Sequence, residues 1–283
     1  MSDWVITHNS KKNRKLVVLS VPFKRLVKHS FSIPLIAEIS KNSDIVVVAP
    51  FEMSQQDKKF FLLENVTWIY ERNDVSEVTR FLLSSVDLIR RFGYWELNKH
   101  SSLEYYSETK SMEFRDNGKT ITYSLLRRLI YILLSLFGRE RKRWLVIEKS
   151  LSILFPKNDQ LVQLASSYEG VTIIQSANWG IQDRVLARLS EKHNWKSFLL
   201  PYTVDQLYTN GYLFTDYDGI FVQGPFEKSC ATEFHKQPEK NLIELGNSWF
   251  RNIDYLSSKV KRAPYSSKKK ILYAGVSSVF YPL

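Results

Sequence analysis

A chain of 283 residues, 44% hydrophobic and 24% charged, is long enough to bury a large core and too apolar to be a disordered segment. Its net charge of +11 and pI of about 9.5 favour anionic partners. The single cysteine, Cys230, excludes an internal disulfide framework and points to a reducing compartment.

The N-terminal stretch MSDWVITHNSKKNRK is polar and lacks the apolar core of a secretory leader. Residues 15–21 (KLVVLSV) predict the first strand. The loop after it, 22–30, contains no glycine, so it is not a glycine-rich dinucleotide loop. It carries Lys24, Arg25, Lys28 and His29 where a helix over 31–40 begins. Cations beside a helix start suit an anion or a hydroxyl-bearing substrate, and they also suit a solvated basic loop. Strands follow at 44–50 and 66–71, then a long helix over 76–98 with Phe81, Leu82, Val86 and Ile89 as its apolar stripe. Residues 99–160 read as an excursion from the sheet, polar at first and then helical.

Within that excursion, Leu129, Ile132, Leu133, Leu136 and Phe137 make a nearly all-round apolar helix. Arg139, Arg141, Lys142 and Arg143 follow directly. No window holds the roughly 20 apolar residues that a bilayer span needs. The pattern fits a helix lying in the interface of an anionic membrane, and it also fits a buried helix with a solvated basic end.

From residue 171 to 246 the chain alternates regularly: strand 171–177, helix 181–193, strand 196–202, polar loop 203–217, strand 218–224, helix 225–235, strand 241–246. In the first of these helices Ile181, Val185, Leu186 and Leu189 form the apolar face, with Asp183, Arg184, Arg188 and Lys192 off it. Such alternation predicts right-handed βαβ units and a parallel sheet covered on both faces. Ligands of such sheets bind beyond the carboxyl ends of the strands. Cys230 falls inside a predicted helix with no activating base nearby and reads as a plain thiol. Asp216-Tyr217-Asp218 sits at a strand start and reads as a turn, and no His/Cys spacing suits zinc, so no metal is expected. The basic residues are scattered rather than interleaved with aromatics on one recognition element, so nucleic acid is not an expected partner.

Residues 251–269 have linker composition, and 271–274 form a new strand followed by Gly275, Ser277 and Ser278. The expected organisation is an α/β domain over 1–250, a linker over 251–269, and at 270–283 the first strand of a second α/β domain cut short. The chain thus reads as the front part of a longer protein; the alternative is that the last strand pairs back onto the first sheet.

Several patterns carry a resemblance. They are LVVLSVPFKRLVKH, ANWGIQDRVLARLSEKHNWKSFLLPYTVDQLYTNG, YDGIFVQGPFEKSCATEFH, NLIELGNSWFRNID and KKKILYAGVSSVFYP. In this order they resemble the N-terminal half of GT-B-fold glycosyltransferases. The closest likeness is to bacterial surface-carbohydrate and cell-wall polymer transferases, including the CDP-glycerol glycerophosphotransferase-like branch. The resemblance implies a Rossmann-like acceptor-side domain facing a donor-binding domain across a cleft, with no cofactor. The donor would be a nucleotide-activated sugar or CDP-glycerol, and the acceptor a carbohydrate or lipid-linked polymer at the inner face of the plasma membrane. It implies His29 as base or acceptor contact, and Lys24, Arg25, Lys28, Asn178, Trp179, Asp205 and Gln206 around the acceptor. Gly275, Ser277 and Ser278 would meet the donor phosphates. A different class of protein, a non-catalytic Rossmann-like module docking on membrane through its basic helix, fits the same composition.

Overall fold

The computed structural model describes residues 14–24, 33–60, 66–70, 75–97, 132, 140–178, 180–203 and 206–246. Seven strands form one sheet: β1 (Lys15–Ser20), β2 (Ser43–Ala49), β3 (Thr67–Tyr70), β4 (Gly170–Gln175), β5 (Lys196–Leu199), β6 (Gly219–Val222) and β7 (Leu242–Glu244). Its order is β3-β2-β1-β4-β5-β6-β7, and every neighbouring pair is parallel. This is an α/β fold of Rossmann-like type, as the alternation predicts. Strand order grows outward from β1 through β3, then resumes on the other side of β1 with β4. The reversal point therefore lies between β1 and β4, at the centre of the sheet.

Eight α-helices are described: α1 (Ile33–Asn42), α2 (Gln55–Phe60), α3 (Glu77–Leu97), α4 (Arg141–Leu151), α5 (Asp159–Ala165), α6 (Ile181–His193), α7 (Gln206–Thr209) and α8 (Pro225–Glu233). The central strands are apolar on both faces, as strands covered on both sides must be. Val17, Leu19, Ile45, Val47 and Ile174 pack on one face with Ile33 and Ile36 of α1. Leu16, Val18, Val46, Val48 and Ile173 pack on the other with Leu161 and Ala165 of α5 and Leu186 of α6. A further cluster joins Leu199, Ile220 and Val222 of β5 and β6 to Val86, Tyr94, Trp144, Cys230 and Ala231.

One local expectation is corrected. Residues 203–217, expected as a polar loop, contain α7 and bury Leu207, Tyr208, Tyr212, Leu213, Phe214 and Tyr217. Backbone carbonyls of this segment are satisfied by long side chains: Arg90 donates to Tyr212 O and Arg188 to Phe214 O. That is how a non-regular segment sits inside a core without orphaned carbonyls. Asp183 and Arg184, off the apolar face of α6, are also fully buried, because both find polar partners inside.

Candidate functional site at the carboxyl edge of the sheet

Four strand ends build the floor of the central edge. Val21, just past β1, donates its N–H to Val48 O at 3.0 Å, and Pro22 then stops the ladder. Ser176, just past β4, donates its hydroxyl to Ser20 O at 2.7 Å. Leu200, past β5, donates its N–H to Gln175 O at 2.8 Å. These bonds close the space between strands where they would otherwise begin to splay.

α6 enters this edge directly. Its N-cap is Gly180 at φ +104°, a conformation that favours glycine, and no side chain caps the helix. Among the described residues, a Cβ at Gly180 would meet nothing within 4 Å. Gln182 Nε2 donates to Ser20 Oγ at 2.9 Å and to Val48 O at 2.8 Å, and Ser20 Oγ donates to Asp183 Oδ1 at 3.2 Å. Gln175 Nε2 donates to the Asp183 carbonyl at 2.7 Å. The first turn of α6 is thus fastened to β1, β2 and β4 by buried side chains, and its N-terminal amide dipoles are held in one direction. Gln182 Oε1 is buried with no hydrogen-bond partner.

The residues anticipated here are placed as follows. Lys24 is exposed, four residues past the end of β1. Arg25, Lys28, His29, Trp179, Asp205, Gly275, Ser277 and Ser278 lie outside the described residues. Asn178 is 1% exposed, and both ends of its amide hold the 212–214 backbone: Nδ2 donates to Tyr212 O at 3.2 Å and Oδ1 accepts from Phe214 N at 3.1 Å. Its side chain is an internal brace for that loop. Gln206 is also buried; its Oε1 accepts from Tyr202 N at 2.9 Å, and its Nε2 is an orphaned donor. Of the basic helix, Leu129, Leu133, Leu136, Phe137 and Arg139 lie outside the described residues. Ile132 is 58% exposed. Arg141 pairs with Asp216, Arg143 lies 3.3 Å from Glu140, and Lys142 is exposed.

A second polar centre lies behind the edge and was missed from sequence. Asp87 on α3 receives Arg90 at 2.8 Å, Arg91 at 2.8 Å and Arg184 at 3.0 Å. Burial pushes the Asp87 carboxyl up, but the three guanidinium groups outweigh it and hold its pKa far below the usual range. Arg184 also reaches Glu148 on α4 at 2.9 Å, close enough to pair although not aligned as a hydrogen bond. Burial is the main cause of a raised Glu148 pKa. Phe214 lies under two of these cations, with Arg90 4.4 Å and Arg184 4.7 Å from its ring centroid. The spacing of Asp87, Arg90 and Arg91 at i, i+3 and i+4 was a readable signal for part of it. Among the described residues, no group of three or more His, Cys, Asp or Glu could hold a metal ion, and no helix is long and apolar enough to cross a membrane.

Comparison of the chain with models of protein families, with curated proteins and with solved structures finds no match.

Proposed function

We propose that this chain is the acceptor-side domain of a GT-B-type transferase, which moves a sugar or glycerophosphate from a nucleotide-activated donor to a surface-polysaccharide or cell-wall acceptor. The observation that carries the reading is the start of α6, with Gly180 at its N-cap and no side-chain cap, at the reversal point between β1 and β4. Sheets of this order take their ligands there. Gln182 Oε1 and Gln206 Nε2, an acceptor and a donor, are each buried without a hydrogen-bond partner. In the reaction, an acceptor hydroxyl oxygen bonds to the donor carbon or phosphorus, the nucleotide leaves with the old bond's electrons, and the hydroxyl proton passes to a base. His29 is the proposed base, and Lys24, Arg25 and Lys28 would neutralise acceptor charge. The work would be done in the cytoplasm against the inner membrane face.

A second reading, a non-catalytic module that docks on membrane, draws on the exposed Ile132. Incubation of the full-length protein with CDP-glycerol or nucleotide sugars and a cell-envelope glycan extract separates the two. Product that needs both donor and glycan supports the transferase. Glycan binding without transfer keeps the acceptor-side role alone. Neither binding nor transfer defeats both parts of the reading.

A further inference from the structure

α6 is roughly 20 Å long by its residue count, with its first turn at the reversal point. Its C-terminal half faces a different feature. Between it, the start of α5 and the 152–158 connection from α4 lies a cavity of about 710 Å³. That is the range of a small-molecule site. Its apolar lining comes from Val162, Val185, Leu189, Ile153 and Phe155.

The polar lining is one-sided. Lys149, Lys157 and Lys192 are exposed around the cavity, and no acidic side chain pairs with them among the described residues. Two acids also line it. Glu191 is occupied by Arg188 Nη1 at 2.6 Å and by the Thr215 hydroxyl. Asp159 is the remaining acid, against three lysines. Deeper in, Asn158 is 5% exposed; its Oδ1 caps α5 by accepting from Leu161 N at 3.0 Å, and its Nδ2 has no partner. Arg188 Nε is likewise buried without a partner. Both orphaned atoms are donors. A buried donor without an acceptor is costly, so two on residues of one lining call for an acceptor-rich ligand.

We propose that this cavity binds an organic phosphate ester, with the phosphoryl oxygens taken by Asn158 Nδ2, Arg188 Nε and the rim lysines, and an apolar body seated on Val162, Val185 and Leu189. The site is independent of the transferase reading, since no residue of the carboxyl edge contributes to it.

The probe is n-hexyl phosphate, titrated calorimetrically at about 0.15 M ionic strength beside inorganic phosphate and hexanol. The ester is expected to bind at least about tenfold more tightly than either fragment. Asn158→Asp keeps the cap, because Asp and Asn cap equally well, but replaces the donor by a carboxylate. It is expected to weaken the ester at least about tenfold with an unchanged melting temperature. Lys157→Ala with Lys192→Ala is expected to weaken binding and flatten its salt dependence. An ester that binds no better than its fragments, or binds Asn158→Asp as well as the parent, overturns the proposal. Flotation with phosphatidic acid vesicles identifies the source of the phosphate. Flotation lost in Asn158→Asp marks a lipid headgroup; no flotation, or flotation equal in both proteins, marks a soluble ester.

Discussion

Arg184 on α6 joins two acids from two other helices: its Nη2 is 3.0 Å from Asp87 Oδ1 on α3, and its Nη1 is 2.9 Å from Glu148 Oε1 on α4. One guanidinium therefore ties three helices on one side of the sheet. Asp87→Asn would leave Arg90, Arg91 and Arg184 without their common counter-charge. The expected loss is roughly 3 kcal/mol, at the low end for a broken buried pair because Asp87 keeps some exposure. Urea denaturation at neutral pH measures it. Because the folded carboxyl is held low, its stabilisation is complete above the ordinary carboxylate pKa and is lost as pH falls below it. The variant should therefore lose less stability than the parent below about pH 4.

His235 gives a separate acid-sensitive step. It is buried, it stacks on Tyr94 at 5.3 Å, and its Nε2–H donates to Leu207 O at 2.6 Å. Burial pushes its pKa down to about 3. The unfolded chain takes up a proton near pH 6.5 and the folded chain does not, so stability falls as pH drops between those values. From pH 7 to pH 5 the expected loss is about 2 kcal/mol. His235→Gln, which keeps a donor and does not titrate, should remove most of that slope. An equal slope in both proteins would assign it elsewhere.

Gly211 sits at φ +78°, and a Cβ there would lie 3.1 Å from the Arg91 backbone. Gly211→Ala meets both a left-handed backbone and a close neighbour. A destabilisation of about 2 kcal/mol is expected from thermal and urea melts.

Cys230 is buried, and burial pushes its thiol pKa up to about 12. Thiol reagents at pH 8 should modify it only as fast as the surrounding cluster opens. Rapid modification under native conditions would show that α8 detaches readily from the sheet.

The pairing of Arg141 with Asp216 separates the basic residues into two kinds. Lys142→Glu with Arg143→Glu should reduce recovery on anionic vesicles, without a change in melting temperature. Arg141→Gln should lower the melting temperature instead. Equal flotation of parent and double variant would remove this helix from any membrane role.

The sheet was legible because its signal is short-range. Runs such as LVVL and VVVA are apolar at every position, which is the mark of strands covered on both faces, and each ends near Pro or Ser. The 203–217 segment was not legible. Its Asp, Thr and Asn residues resemble a solvated turn, and its burial depends on Arg90 and Arg188, which are distant in sequence. The burial of Asp183 and Arg184 was not legible for the same reason: on a helix wheel they are polar, and only the positions of Ser20, Asp87 and Glu148 make their burial favourable. The place of Gln206 after a strand was legible, but its burial and its bond to Tyr202 N were not. The role of Asn178 as a brace required knowledge of where Tyr212 and Phe214 return.

The central position of β1 also governs how the protein is made. Its register with β4 joins Lys15 to Gly170, across 155 residues of chain. At ribosomal speeds of about 5–20 residues per second, β1 waits roughly 8–30 s for that partner. Through that interval β1, flanked by β2 alone, presents an open, strongly apolar strand edge, the kind that pairs with other chains. The nascent protein is thus most prone to aggregation before residue 170 emerges. Slower translation of the 98–140 stretch should lower soluble yield more than equal slowing after β4.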